Sequence, residues 1–139
     1  RVIGAAHDDP VDPTYYPEPQ IRTFLGPSGH EIHAHIYPPH HPGHVAPGGE
    51  LPPYVVWAHG GPTSRAPLVL DLAIAYFTSR GIGVAEVNYS GSTGYGRAYR
   101  NRLREIRAVH KNQIDLRTAA FVDAIDKIAI CYQDLGIFP

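Results

Sequence analysis

The sequence contains no methionine and a single cysteine, Cys131, in 139 residues. One cysteine cannot close an internal disulfide, so the fold must rest on hydrophobic burial, and a reducing, cytoplasmic setting is favoured. Without methionine, Arg1 is not expected to be a translation start, and a processed product or an excised piece is the expectation. Long hydrophobic runs are also lacking. No apolar stretch approaches the roughly 20 residues that cross a bilayer, and no charged-then-apolar leader opens the chain, so no membrane partner is expected. Charge is scarce, 18% of residues with a formal net charge of -1. That balance gives no bulk attraction to nucleic acid or anionic lipid. What is present, 43% hydrophobic residues, suits a globular chain that forms one domain or part of one.

Residues 1–19 mix Asp8, Asp9 and Asp12 with Pro10, Pro13, Pro17 and Pro19. Proline at that density denies regular helix and central strand, so the segment reads as an extended linker arm. Two short β-leaning runs follow, Ile21 to Leu25 and Glu31 to Tyr37, separated by Gly26-Pro27-Ser28-Gly29. Turn residues between such runs predict a hairpin. In the second run Ile32, Ala34 and Ile36 alternate with Glu31, His33 and His35, which predicts a strand with one wet face. After the long Pro/Gly/His loop from Pro38 to Pro53, Tyr54-Val55-Val56-Trp57 is a continuous apolar run, expected of a strand buried on both faces. Leu68 to Ser79 then places Leu68, Leu72, Ala75 and Tyr76 at helical spacing. Residues Ile82 to Val87 predict another buried strand. Strand, helix and strand in this order imply a parallel pair, and the fold class is α/β, an antiparallel hairpin followed by parallel strand-helix-strand units. Ligands of such sheets meet the carboxyl ends of the strands, here His59 to Pro62 and Asn88 to Gly96. From Arg97 onward two helical stretches are expected, the second with Phe121, Ile125, Ile128 and Tyr132 on one stripe and Asp115 or Thr118 near its start.

Two segments carry chemistry. In His59-Gly60-Gly61-Pro62, glycines at a strand's carboxyl end let backbone N–H groups approach a substrate, where they can hold a developing oxyanion; a plain tight turn is the bland alternative. In Asn88-Tyr89-Ser90-Gly91-Ser92-Thr93-Gly94-Tyr95-Gly96, small residues with two tyrosines make a backbone-rich loop. Its glycines do not fit G-x-G-x-x-G, and no Gly-Lys-Ser/Thr follows, which argues against a phosphate cradle.

Taken together the segments are specific. Residues 51–103, with strand, HGGP, a helix ending at Ser79-Arg80-Gly81, strand and NYSGSTGYGR, resemble the opening of the catalytic domain in the prolyl oligopeptidase family of serine peptidases, in particular its dipeptidyl and acylaminoacyl peptidase branch. The resemblance implies a partial α/β-hydrolase catalytic domain over residues 20–139, with residues 1–19 as the link from an absent propeller domain. It implies serine-type hydrolysis of peptide or aminoacyl amide bonds, a peptide substrate as partner, and no cofactor. Residues Gly60 and Gly61 would form the oxyanion-side turn, with His59 as a structural member of it and not the catalytic base. The loop containing Asn88, Tyr89, Gly91, Ser92, Thr93, Gly94, Tyr95 and Gly96 would line the cleft, and Arg97 would tie that loop to the next helix.

The family pattern is lost after about residue 103. A nucleophile elbow needs G-x-S-x-G, and none exists here: Ser92 is flanked at the relevant positions by Ser90 and Gly94, Ser28 by Gly26 and His30. None of the triad Ser, Asp and His can be placed, so this chain by itself is expected to be inactive. The alternatives are a non-catalytic interaction module derived from a hydrolase, and an esterase or lipase of the α/β-hydrolase group. Nine histidines, among them His33, His35, His40, His41 and His44, match no zinc spacing, and no metal site is expected. The basic stripe Arg97, Arg100, Arg104, Arg107 and Lys111 lies opposite Tyr99, Leu103 and Ile106, so a solvated face is expected, with no nucleic-acid partner. Residue Cys131 lacks a cationic or His neighbour in sequence and reads as unreactive.

Overall fold

A computed structural model describes residues 11–109 apart from 27, 28, 50 and 62, and beyond them 113–115, 117–119, 122, 124–126 and 128–129. Four strands form one mixed sheet: β1 (Gln20–Leu25), β2 (Glu31–Tyr37), β3 (Tyr54–Ala58) and β4 (Gly83–Asn88), in the order β1-β2-β4-β3. The hairpin is present, with Leu25 opposite Glu31, a hydrogen bond from Gly26 N to His30 O of 2.9 Å, and Gly29 at φ 74°, a value that glycine adopts without a Cβ penalty. Strands β3 and β4 pair in parallel, Val56 opposite Ala85, while β2 and β4 are antiparallel.

Helices cover both faces of the sheet. Helix α1 (Leu72–Thr78) supplies Ile74 and the half-buried Phe77 to a cluster with Tyr37, Val84 and Trp57. Helix α2 (Gly96–Val109) supplies Leu103 to the other face, against Ile32, Ala34, Ile36, Ala85 and Val87. Beyond it, every described position from 117 to 129 is helical, and Asp115 caps that stretch by accepting from Thr118 N at 2.6 Å.

Several sequence expectations change. His35 does not face water: it is 6% exposed, because β2 runs inside the sheet and α1 covers that side of it. Strand β3 is half-buried instead of fully buried, since it is an edge strand with a neighbour on one side only. Helix α1 starts at Leu72, because the Asp71 carboxylate accepts from Ala73 N at 2.7 Å and fixes the N-cap there. Its buried residues are Ile74, Ala75 and Thr78, while Leu68, Leu72 and Tyr76 are exposed. In the last stretch Ala119 and Ala124 are buried and Ile125 is exposed; Phe121, Tyr132 and Cys131 lie outside the described residues. The part of the arm that is described is not wholly extended. It makes one 3-10 turn at Pro13–Tyr15, and Thr14 O lies 2.8 Å from His40 Nε2.

Candidate active site

Because β3 and β4 are parallel, their carboxyl ends Ala58 and Asn88 lie at the same edge of the sheet. The segments that follow them therefore emerge side by side, and both are the glycine-rich ones. Hydrogen bonds and a ring stack hold them together. Asn88, fully buried, accepts from Ala66 N at 2.8 Å through Oδ1 and donates through Nδ2 to Tyr95 Oη at 3.1 Å. Thr93 N donates to Ser64 O at 2.9 Å. The Tyr89 hydroxyl lies 3.0 Å from His59 O and 2.5 Å from Gly61 O. Finally, His59 Nε2 lies 2.6 Å from Ser92 Oγ, and the His59 ring stacks on Tyr89 with centroids 4.3 Å apart.

The turn itself faces outward. Residues Gly60 and Gly61 are exposed, Gly61 has φ 75°, and no described residue accepts a hydrogen bond from either amide. Two open N–H groups at a strand's carboxyl end are the kind of donor that can meet an oxyanion. Pro62 lies outside the described residues. On the other loop Gly91, Gly94 and Gly96 all have positive φ, and a Cβ at Gly94 would lie 3.0 Å from Arg65 Nη1, so the loop follows a path that side chains would obstruct. Ser90 and Ser92 are buried, Thr93 and Tyr95 half-buried. Residue Arg97 is exposed without a hydrogen bond or ion pair among the described residues; the loop is instead tied to α2 by the Tyr99 hydroxyl, which donates to Asn88 O.

Burial sets the electrostatics. It holds the His59 imidazole below the usual histidine range, and a contact with Gly60 O partly offsets this. Burial raises the Tyr95 phenol, against the Arg65 charge and the Asn88 hydrogen bond. Beneath the loops Glu86 is pushed up by burial, with the Tyr37 hydroxyl bond opposing, and His35 is pushed down by burial and then by Arg65. Both members of that pair are thus driven toward their neutral forms. His35 Nδ1 lies 3.8 Å from Glu86 Oε2, and among the described residues it has no hydrogen-bond partner.

A serine 2.6 Å from an imidazole resembles a nucleophile beside its base. The surroundings oppose that reading. Ser92 is fully buried, so no substrate carbonyl reaches Oγ, and its hydroxyl donates to Tyr89 O at 2.7 Å. The hydroxyl is thus shared between the Tyr89 carbonyl and the edge of the His59 ring inside the fold, a packing role and not that of a nucleophile open to substrate. Sequence reasoning missed the parts played by Tyr89 and Asn88 in joining the loops; polar residues at the end of an apolar strand were the available signal.

Histidines elsewhere use one another. His41 Nδ1 and His44 Nδ1 are 2.9 Å apart, and Gly43 N donates to His41 Nδ1. Among the described residues no three His, Cys, Asp or Glu side chains converge as a metal site, and no helix is long and apolar enough to cross a membrane. A concavity of about 420 Å³ between the arm and α1, lined by Tyr15, Leu72, Tyr76 and Arg80 among others, does not include the glycine turn.

No protein-family model and no curated protein matches the chain. Solved structures do. A puromycin hydrolase is 78% identical over 74% of this chain, with a TM-score of 0.70. A puromycin-hydrolyzing peptidase of Mycobacterium tuberculosis is 45% identical over 96% of it, with a TM-score of 0.76. An acylaminoacyl peptidase is 25% identical over 63%, with a TM-score of 0.53. The chain spans only 16% and 19% of the first two structures' own length. Its four strands are a partial α/β-hydrolase sheet of the kind these neighbours contain.

Proposed function

Because this chain belongs to the prolyl oligopeptidase family of serine peptidases, we propose that it supplies the oxyanion-side turn and one cleft wall of a serine-type peptidase that hydrolyses peptide or aminoacyl amide bonds. The observation that carries the reading is the pair of N–H groups at Gly60 and Gly61, from which no described residue accepts, held against the Asn88–Gly96 loop at the carboxyl ends of two parallel strands. A developing oxyanion is stabilised by donors that are already in position, so their worth in a dry cleft exceeds that of water molecules which must reorganise. The names of its neighbours point to puromycin and acylated amino acids as substrates to try first. On this reading the nucleophile, base and orienting acid come from outside the chain, which alone has no turnover. The partner is a peptide substrate, with neither nucleic acid nor membrane, and the single cysteine supports a cytoplasmic setting.

The test is hydrolysis of puromycin and aminoacyl-arylamides by a protein of the relatives' length that contains this chain. Turnover is expected, and Gly61→Ala, which forces a Cβ onto a φ of 75°, is expected to lower kcat by roughly 100-fold. A well-folded protein with no turnover on any of these amides would count against the proposal.

A further inference from the structure

We propose that Tyr89 is a positioning residue that sets the direction of the Gly60 and Gly61 amides; this rests on the reading of that turn as the oxyanion side. Its hydroxyl spans two carbonyls of the turn, His59 O at 3.0 Å and Gly61 O at 2.5 Å, and its ring carries the His59 imidazole at 4.3 Å and 17°. The peptide unit is planar, so holding the carbonyl of His59 also fixes the N–H of Gly60 on the opposite side of the same plane. Holding the carbonyl of Gly61 fixes the peptide plane that follows Gly61, so the unit carrying the Gly61 N–H is suspended between two anchored planes. Glycine samples both signs of φ freely, so an unclamped Gly-Gly turn would spread its amides over many directions. The clamp removes that spread before any substrate arrives, which is the condition for a donor that costs nothing to reorganise. A second anchor completes it. Ser92 Oγ meets His59 Nε2 at 2.6 Å, so the stacked imidazole is held at its edge as well as its face. Tyr89 itself is 3% exposed and directly follows the last residue of β4, so the clamp is mounted on the sheet and not on a loop tip.

Tyr89→Phe keeps the stacked ring and removes only the hydroxyl. In the 139-residue chain, amide relaxation measurements should show the Gly60 and Gly61 order parameters falling from about 0.85 to below about 0.6, with Val84 to Val87 unchanged. Unchanged glycine order parameters would overturn the proposal. Should Tyr89→Phe not fold, the wild-type chain decides: a slowly exchanging Tyr89 hydroxyl proton with contacts to residues 59–61 is expected, and its absence overturns the clamp. In the longer protein, Tyr89→Phe should lower kcat roughly 10- to 100-fold with KM within about twofold, since misplacement of a donor acts on the transition state. Equal loss in KM and kcat, or no loss, would overturn the positioning role. A longer protein that is inactive as wild type would count against the peptidase reading, while the relaxation result would still decide the clamp.

Discussion

Replacing Asn88 by alanine should separate the two site loops at their base. The side chain is fully buried, and both of its polar ends are used: Oδ1 takes Ala66 N at 2.8 Å and Nδ2 gives to Tyr95 Oη at 3.1 Å. Alanine leaves the buried Ala66 N–H without a partner, at a cost of about 1–3 kcal/mol, and forfeits the second bond, worth about 1 kcal/mol. The sum is about 2–4 kcal/mol, which for a chain of this size lowers Tm by roughly 8–15 °C. Tyr95→Phe isolates the second bond and should cost only about 1 kcal/mol. Equilibrium unfolding in urea, followed by Trp57 fluorescence, measures both. The reasoning is refuted if Asn88→Ala lies within about 0.5 kcal/mol of wild type, or if Tyr95→Phe costs as much as Asn88→Ala.

Three further outcomes are expected. A Cβ at Gly83 would lie 2.3 to 2.6 Å from the Tyr54 ring across the parallel β3–β4 pair, so Gly83→Ala should cost about 1–3 kcal/mol, measured by the same unfolding; a neutral result would mean the ring swings out freely. Asp71→Ala removes the cap of α1 and should cost about 1 kcal/mol, whereas Asp71→Asn, which still accepts from Ala73 N, should restore most of it. Burial holds His33, His35 and His59 below their unfolded value of 6.5. The unfolded chain therefore binds more protons as pH falls below 6.5, so stability present above that pH is lost as it drops through the depressed folded values. Glu86, raised by burial, works the other way, with stability present below its unfolded value of 4.5 and lost as pH rises through its folded one. Tm should be lower at pH 5.5 than at pH 7.5, with a shallower slope in His59→Gln; a flat profile in the wild type would contradict this.

Local pattern made much of the fold legible. The alternation of Ile32, Ala34 and Ile36 marked a strand, Gly26 to Gly29 its turn, and the change to strand-helix-strand after Pro53 marked the parallel pair. What failed depends on neighbours that periodicity does not contain. Whether Tyr54 to Trp57 is buried on both faces is decided by which strands lie beside it, and β3 proved to be an edge. In α1 the run Leu72-Ala73-Ile74-Ala75-Tyr76-Phe77 is apolar nearly all round, so packing against Tyr37 and Val84 selects Ile74 over Leu72 and Tyr76. At the site, the glycine turn and the loop after β4 were readable because both follow apolar strands that end at one edge. Contacts that lock them together, Tyr89 with His59 and Gly61, and Asn88 with Ala66, span more than twenty residues of sequence, and their one local trace was a pair of polar residues at the end of an apolar strand.

The central claim is that this chain holds the donor side of a serine peptidase site but no nucleophile of its own. Fluorophosphonate labelling of the purified 139-residue chain, read beside aminoacyl-arylamide hydrolysis and with Ser92→Ala as control, tests it most directly. Neither labelling nor turnover is predicted, since Ser92 is buried and gives its proton to Tyr89 O. Labelling that disappears in Ser92→Ala would contradict the account and make Ser92 and His59 a reactive pair.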